Sequence, residues 1–187
     1  MKNLNKIIWL IIAAFTLASC SSDDEDYPKK NITKAHTYST TIEAIKDQEQ
    51  QKEIVLKLSD MLPDNIAYNI VLAEFQRGKS SFKIDGLANV DPLAKLQNFT
   101  IRIGNRNKIN LGTCTPDPSS LNEFSSDREL DDDKYTDIIR LIFEDLVKNK
   151  EAKIYLSFTS THTMIETTHP VYFQISINGY FLYNIRE

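Results

Sequence analysis

The sequence predicts a mainly β chain, an antiparallel β-sandwich or a barrel with one packed α-helix. Three observations carry this expectation. Apolar residues alternate in short runs, at Ile54, Leu56 and Leu58, at Phe99, Ile101 and Ile103, at Ile154, Leu156 and Phe158, and from Val171 to Ile177. A period of two puts those side chains on one buried face, which is the mark of a strand. Turn-forming residues separate several runs, as at Gln76-Arg77-Gly78-Lys79 and at Gly104 to Asn107. One segment alone, about 134–148, has a clear helical spacing, with Ile138, Ile139, Ile142, Phe143 and Leu146 after the acidic Asp131-Asp132-Asp133. Acids at that helix's start and Lys148 and Lys150 at its end complement the helix dipole.

The remaining elements follow in chain order. Thr40-Thr41-Ile42-Glu43 offers a capping box, but the apolar residues of 40–62 do not share a helical face. Two strands around a polar loop near 47–52 are therefore expected. Ile66 to Phe75 is long, apolar and β-branched, and reads as a central strand, with Ser80 to Ile84 returning as its hairpin partner. Lys108 to Leu111 returns after the strand at Phe99. The strand from Val171 meets Asn178-Gly179, the pair that a two-residue type I′ turn prefers, so a closing hairpin with Tyr180 to Ile185 is expected. Residues 86–96 and 112–130 read as long irregular connections.

The chain has 187 residues, 41% hydrophobic and 26% charged, with a net charge of −4. This length fits one domain with a core of ordinary size. The acidic balance argues against nucleic acid, whose phosphates call for a basic stripe.

The first residues carry an address. Lys2 and Lys6 precede the apolar run Ile7 to Phe15, which ends in Leu17-Ala18-Ser19-Cys20. The run is too short for a bilayer core of about 30 Å, which takes about 20 residues. It fits the h-region of a secretory signal. The four residues at its end resemble the lipobox of bacterial lipoproteins. That resemblance implies a signal peptide over 1–19 and a diacylglyceryl chain, with palmitate-type acylation, on the Cys20 thiol. Losing the leader removes two lysines and the single Trp, Trp9, and takes the net charge to −6. Ser22-Asp23-Asp24-Glu25-Asp26 resembles the acidic export signal of Bacteroidota surface lipoproteins, which implies an outer-membrane protein displayed at the cell surface, the periplasmic face being the alternative. Residues 20–33 are expected as a flexible tether and 34–187 as one β-rich domain.

A second resemblance lies within the domain. Tyr68 to Phe75, followed by Phe82 to Val90, is similar to the calycin-like (lipocalin-like) domain of Bacteroidota lipoproteins, which implies a lipocalin-like barrel. The helix before the last strands departs from a simple up-and-down barrel, and sandwich and barrel both stay open.

Chemistry-bearing residues are few. With Cys20 acylated, Cys114 has no internal partner, and Thr113 and Thr115 beside it do not activate a thiol. His162, Glu166 and His169 are ligand types for zinc, but their spacing is not His-Glu-x-x-His. Asp127 to Asp133 is rich in calcium-type oxygens and lacks the EF-hand glycine. No G-x-S-x-G elbow or phosphate loop is present. No metal, cofactor or catalytic set is expected, a hydrolase being the enzymatic alternative through a carboxylate pair that only spatial distance would define. Tyr155, Tyr172, Tyr180 and Tyr183 fall on the last strands, and Tyr172 and Tyr180 are the candidate ligand contacts, because tyrosine joins an apolar ring to a polar tip. The expected function is that of a lipid-anchored, non-catalytic binding domain for a glycan, an apolar small molecule or a protein partner. The alternative is a structural or interaction subunit, or an inhibitor of immunity type, in the cell envelope.

Overall fold

The computed structural model describes residues 27–116, 123–125, 132–165, 168 and 170–185. Among the described residues nine strands form two antiparallel sheets. Strands β1 (Lys29–Ile42), β3 (Ile70–Phe75), β4 (Ser81–Asp85), β7 (Glu123–Ser125) and β9 (Val171–Asn184) make the first. Strands β2 (Glu49–Lys57), β8 (Glu151–Ser160), β5 (Leu96–Ile103) and β6 (Ile109–Cys114) make the second, in that spatial order. A 3₁₀ turn (Leu58–Asp60), two single helical turns, α1 (Asp64–Ala67) and α2 (Leu87–Val90), and one long helix, α3 (Asp132–Asn149), complete the fold. The two sheets share no strand, so the architecture is a sandwich rather than a closed barrel.

Alternation builds the core. In β8 the inward Ala152, Ile154, Leu156, Phe158 and Ser160 are buried and the residues between them are not. In β9 Val171, Phe173, Ile175, Ile177 and Phe181 are buried in the same way. Phe99 stacks on Phe158 at 5.8 Å and meets Phe173 at 6.4 Å, so aromatic rings fill the space between the sheets. Each such side chain contributes about 1.5–3 kcal/mol by leaving water. The helix buries the stripe its spacing announced, Ile138, Ile139, Ile142, Phe143 and Leu146. Phe143 packs on Phe75 at 6.0 Å and on Phe181 at 5.7 Å, so α3 packs on the first sheet at β3 and β9 and also runs against β8 of the second. Strand β9 meets the second sheet through Phe173 and the helix through Phe181.

Several local expectations need correction. The closing hairpin does not exist. Asn178 and Gly179 lie in the middle of the unbroken 14-residue strand β9, and neither has a positive φ. Gly179 is there for space, since a Cβ at this position would meet Phe143 Cε2 at 2.6 Å and Phe181 Cζ at 2.8 Å. Strands β3 and β4 do not pair with each other. They lie end to end along one edge of β9, Ala73 to Phe75 opposite Phe181 to Gly179 and Ser81 to Asp85 opposite Ser176 to Tyr172. The five residues between them bulge out and are stitched back. Gln76 N–H donates to Asn178 O at 2.9 Å, and Asn178 N–H donates to Ser80 Oγ at 2.9 Å. Ser80 Oγ donates in turn to Gln76 O at 3.2 Å.

The run Ile66–Phe75 is not one central strand. Pro63 N-caps the turn α1, Tyr68 ends it with 70% of its surface exposed, and β3 begins only at Ile70. The segment 40–62 holds two strands around a loop, as expected, but the loop is 43–48 rather than 47–52, because Glu49 already pairs with Thr159 in β2, and 58–60 is a 3₁₀ turn. Strand β1 starts at Lys29, inside the stretch expected as tether, because Lys29 to Thr33 already pair with Asn184 to Tyr180. Residues 86–96 contain α2, entered through Gly86 at φ 87°, where a Cβ would strike Pro170 O at 2.6 Å. The hairpin β5–β6 and the strand β8 stand where alternation put them.

Candidate functional site

The register of β1 on β9 decides which side chains share the outer face of the first sheet. Tyr172, Gln174, Ser176, Asn178 and Tyr180 alternate with the buried residues of β9 and lie half-buried on the other face, the Asn178 Oδ1 being itself buried. Opposite them on β1 stand Thr41, Ser39, Thr37, Ala35 and Thr33, in that order. None of these ten positions carries a charge, although charged residues make up 26% of the chain. Thr37 Oγ1 and Ser176 Oγ share a hydrogen bond of 2.9 Å across the two strands. The structure thus brings both candidate tyrosines onto one face, eight residues apart on a single strand. At about 3.3 Å per residue they stand about 26 Å apart. Among the described residues, charge lies on the flanking strands and on the bulge between them, with Glu74 opposite Tyr180, Lys83 and Asp85 opposite Gln174 and Tyr172, and Arg77 and Lys79 exposed between β3 and β4. Lys83 and Asp85 pair with each other at 3.5 Å. Sequence reasoning chose the two tyrosines but missed the hydroxyl row on β1, whose outward alternation shows in Thr33, Thr37, Ser39 and Thr41.

A second feature is an open groove between the edge strands β1 and β2, with a volume of about 510 Å³. Its walls are His36, Tyr38 and Thr40 on one side and Lys52, Ile54 and Leu56 on the other, over Phe173 and Ile175. Tyr38 is tied in place, its hydroxyl donating to Lys57 O at 2.7 Å, with its ring edge-on to His36 at 4.5 Å. Burial, and then the Asp60 carboxylate, push the Tyr38 hydroxyl well above its ordinary range. Such a phenol stays neutral and serves as a strut.

The other candidates separate. Cys20 and the acidic Ser22, Asp23, Asp24, Glu25 and Asp26 lie outside the described residues, as do Glu166, His169 and 127–131. His162 is half-buried in the connection between β8 and β9, its Nδ1 3.0 Å from Thr161 Oγ1 and its Nε2 3.9 Å from Asp91 Oδ2. Among the described residues no three metal-ligating side chains converge. Cys114 is buried at the end of β6, and desolvation pushes its thiol up to about 12. A thiol so shifted is not a nucleophile at neutral pH. Tyr155 lies on the outer face of the second sheet under the Arg102 guanidinium, 3.9 Å from its ring centre, and is occupied there.

One end of the sandwich gathers loops 43–48, 86–95 and 161–165. Ala44 and Met164 exchange two backbone hydrogen bonds, and Lys95 N–H donates to Thr161 Oγ1 at 2.9 Å. Ile45, Leu93 and Ile165 stand exposed there, Leu93 by 74%.

No protein-family model matches the chain, and no curated protein matches it in sequence. Among solved structures it is similar to a chain of desmodium yellow mottle tymovirus, at 8% identity, with 86% of this chain and 91% of that chain covered and a TM-score of 0.41.

Proposed function

We propose that this chain is a lipoprotein, acylated at Cys20 and displayed at the surface of the outer membrane by the acidic tether Asp23 to Asp26, and that its sandwich is a non-catalytic glycan-binding domain. The lipobox-like end of the leader and the acids beside it support the address. One observation carries the binding reading: Tyr172 and Tyr180 share an outer sheet face whose intervening side chains are hydroxyls and amides. A hydroxyl both donates and accepts, so a row of them matches the hydroxyls of a sugar. A tyrosine ring supplies the apolar contact that the C–H face of a sugar needs. The aromatic packing between the sheets supports an external site over an internal cavity for an apolar ligand.

Two measurements test this together. Intact cells carrying a tagged chain are shaved with protease, beside cells whose Asp23 to Asp26 are replaced by alanine. Loss of tag from the first only is expected, and protection of both would remove the surface assignment. Purified protein is then screened on immobilised glycans, where loss of binding in Tyr172→Ala/Tyr180→Ala is expected and unchanged binding would refute the site.

A second reading, an interaction subunit or inhibitor, has its own observation in the exposed Ile45, Leu93 and Ile165 on stitched loops. Apolar side chains exposed together at one end of a domain offer a surface for a protein contact. A stoichiometric protein partner lost on Leu93→Asp would favour this reading over the first.

A further inference from the structure

We infer that one end of the sandwich, centred on Tyr68, rests on an anionic membrane surface. This builds on the reading that Cys20 is acylated, and it adds which part of the domain meets the lipid.

Backbone pairing gathers that end. Lys29, at the start of β1, is opposite Asn184, and Asn184 N–H donates to Asn69 O at 2.9 Å, beside Tyr68. From the other side Leu58 N–H donates to Lys150 O at 2.9 Å, which brings the end of β2 to the end of α3. Tyr68, Lys57, Asn149 and Lys150 then line one hollow of about 300 Å³. Tyr68 is 70% exposed, and Val71, at the start of β3, is 46% exposed. A tyrosine so placed joins an apolar ring to a polar tip, which suits the boundary between water and lipid.

Charge points to the same occupant. Lys29, Lys30, Lys57 and Lys148 are exposed at this end, and Lys150 is held by Val147 O at 3.0 Å. The acids there are Asp60, Asp64 and Glu151, and Glu151 is paired with Lys153 at 3.6 Å. This end is therefore basic on a chain whose net charge is −4. At the opposite end Ile45 and Leu93 are exposed too, but among Glu43, Asp47 and Asp91 as well as Lys46 and Lys95. Lysines around an exposed aromatic ring complement anionic headgroups.

Chain length agrees. Lys29 follows Cys20 by nine positions, a stretch that reaches about 30 Å at full extension. The opposite end lies about 43 Å from Lys29 along the 14-residue β1. An acyl anchor at Cys20 thus presents the Tyr68 end to the bilayer at high effective concentration, where several weak contacts add up to a stable orientation.

The test uses the mature lipidated chain. Its leader carries Trp9, the single Trp, so a tryptophan introduced by Tyr68→Trp or Leu93→Trp reports alone. Both positions are mostly exposed, and neither change disturbs the core. Each protein is reconstituted into vesicles of phosphatidylglycerol and phosphatidylcholine brominated near the headgroup, and into phosphatidylcholine alone. Emission from the Tyr68→Trp protein is expected to shift to the blue and to fall by about half on the anionic vesicles, because an interfacial ring sits at headgroup level. Adding Lys57→Gln/Lys148→Gln, or raising the salt, should restore most of that emission. The Leu93→Trp protein should keep its emission throughout. With acyl chains found on Cys20 by mass spectrometry, equal quenching of both proteins, equal quenching on neutral lipid, or no quenching at all would overturn the inference and leave the anchor standing. Quenching seen only when Asp23 to Asp26 are replaced by alanine would assign the lysines to the tether instead of the lipid, and would overturn it too. A Cys20 without acyl chains would overturn the anchor reading and this inference together.

Discussion

Gly179 lies directly beneath the ring of Phe143. A Cβ at 179 would sit 2.6 Å from Phe143 Cε2, closer than van der Waals contact allows, and the second obstacle is Phe181. Helix α3 approaches β9 as closely as it does because this position has no side chain. Gly179→Ala is therefore expected to destabilise the fold by about 1–3 kcal/mol through overpacking, despite the better strand propensity of alanine. Phe143→Ala should cost more, about 3–5 kcal/mol, by opening a cavity. Combining the two should cost less than their sum, since each relieves the other's defect. Urea denaturation of the four proteins checks this, and strict additivity would show that the two residues do not press on each other.

Ser80 holds the bulge between β3 and β4. Its hydroxyl accepts from Asn178 N–H and donates to Gln76 O, and the residue is 2% exposed. Ser80→Ala leaves a buried N–H of the central strand without that acceptor. A loss of about 1–3 kcal/mol is expected. Hydrogen exchange should localise the effect, with the Asn178 amide losing protection while amides of β5 keep theirs.

Cys114 makes stability fall in alkali. Its thiol is pushed up to about 12 by burial, whereas an unfolded cysteine ionises near 8.5. Between those values the unfolded chain releases the proton and the folded chain keeps it. The stability of folding thus drops by about 1.4 kcal/mol per pH unit from this group, with no contribution from it below the unfolded value. Tyr38 acts in the same direction from its own higher starting point. Melting curves from pH 7 to 11 should show a shallower decline in Cys114→Ala than in the parent. The native thiol should also resist alkylation at pH 8.

Among the described residues strand β1 pairs only with β9. Lys29, Lys30 and Lys34 stand exposed along its first half. Lysines on a free edge discourage the addition of another strand, because pairing would bury or crowd their charges. Replacing Lys30 and Lys34 with threonine should produce dimers or larger species at high concentration, seen by size-exclusion chromatography with light scattering. A monodisperse monomer would show that the edge is protected in another way.

Where one physical cause governs a segment, its residues announce it. Helix α3 was legible because its apolar stripe enters the core on one side only, and β8 because every second residue does. Asn178-Gly179 misled because one dipeptide serves two causes. A turn wants glycine for its positive φ, and a crowded strand wants it for its missing Cβ. Only the approach of Phe143, 36 positions earlier, separates them. The bulge after Phe75 looked like a hairpin for a similar reason: turn residues show that the chain leaves a strand and do not show what it pairs with next. The chemistry of Tyr172 and Tyr180 is legible in the sequence, whereas their shared face depends on β9 running unbroken from Val171 to Asn184.

The pairing of β1 with β9 also sets the order in which the molecule can be made. Lys29 is matched to Asn184, which lies 155 positions along the chain, and strands β3 and β4 lean on that same last strand. At a synthesis rate of about 5–20 residues per second, the first strand waits roughly 8–30 s for its partner to exist. Until then one whole sheet lacks its centre. A nascent chain built this way cannot complete its first sheet until β9 has been made, and it then closes through contacts of very long range, which makes for slow folding.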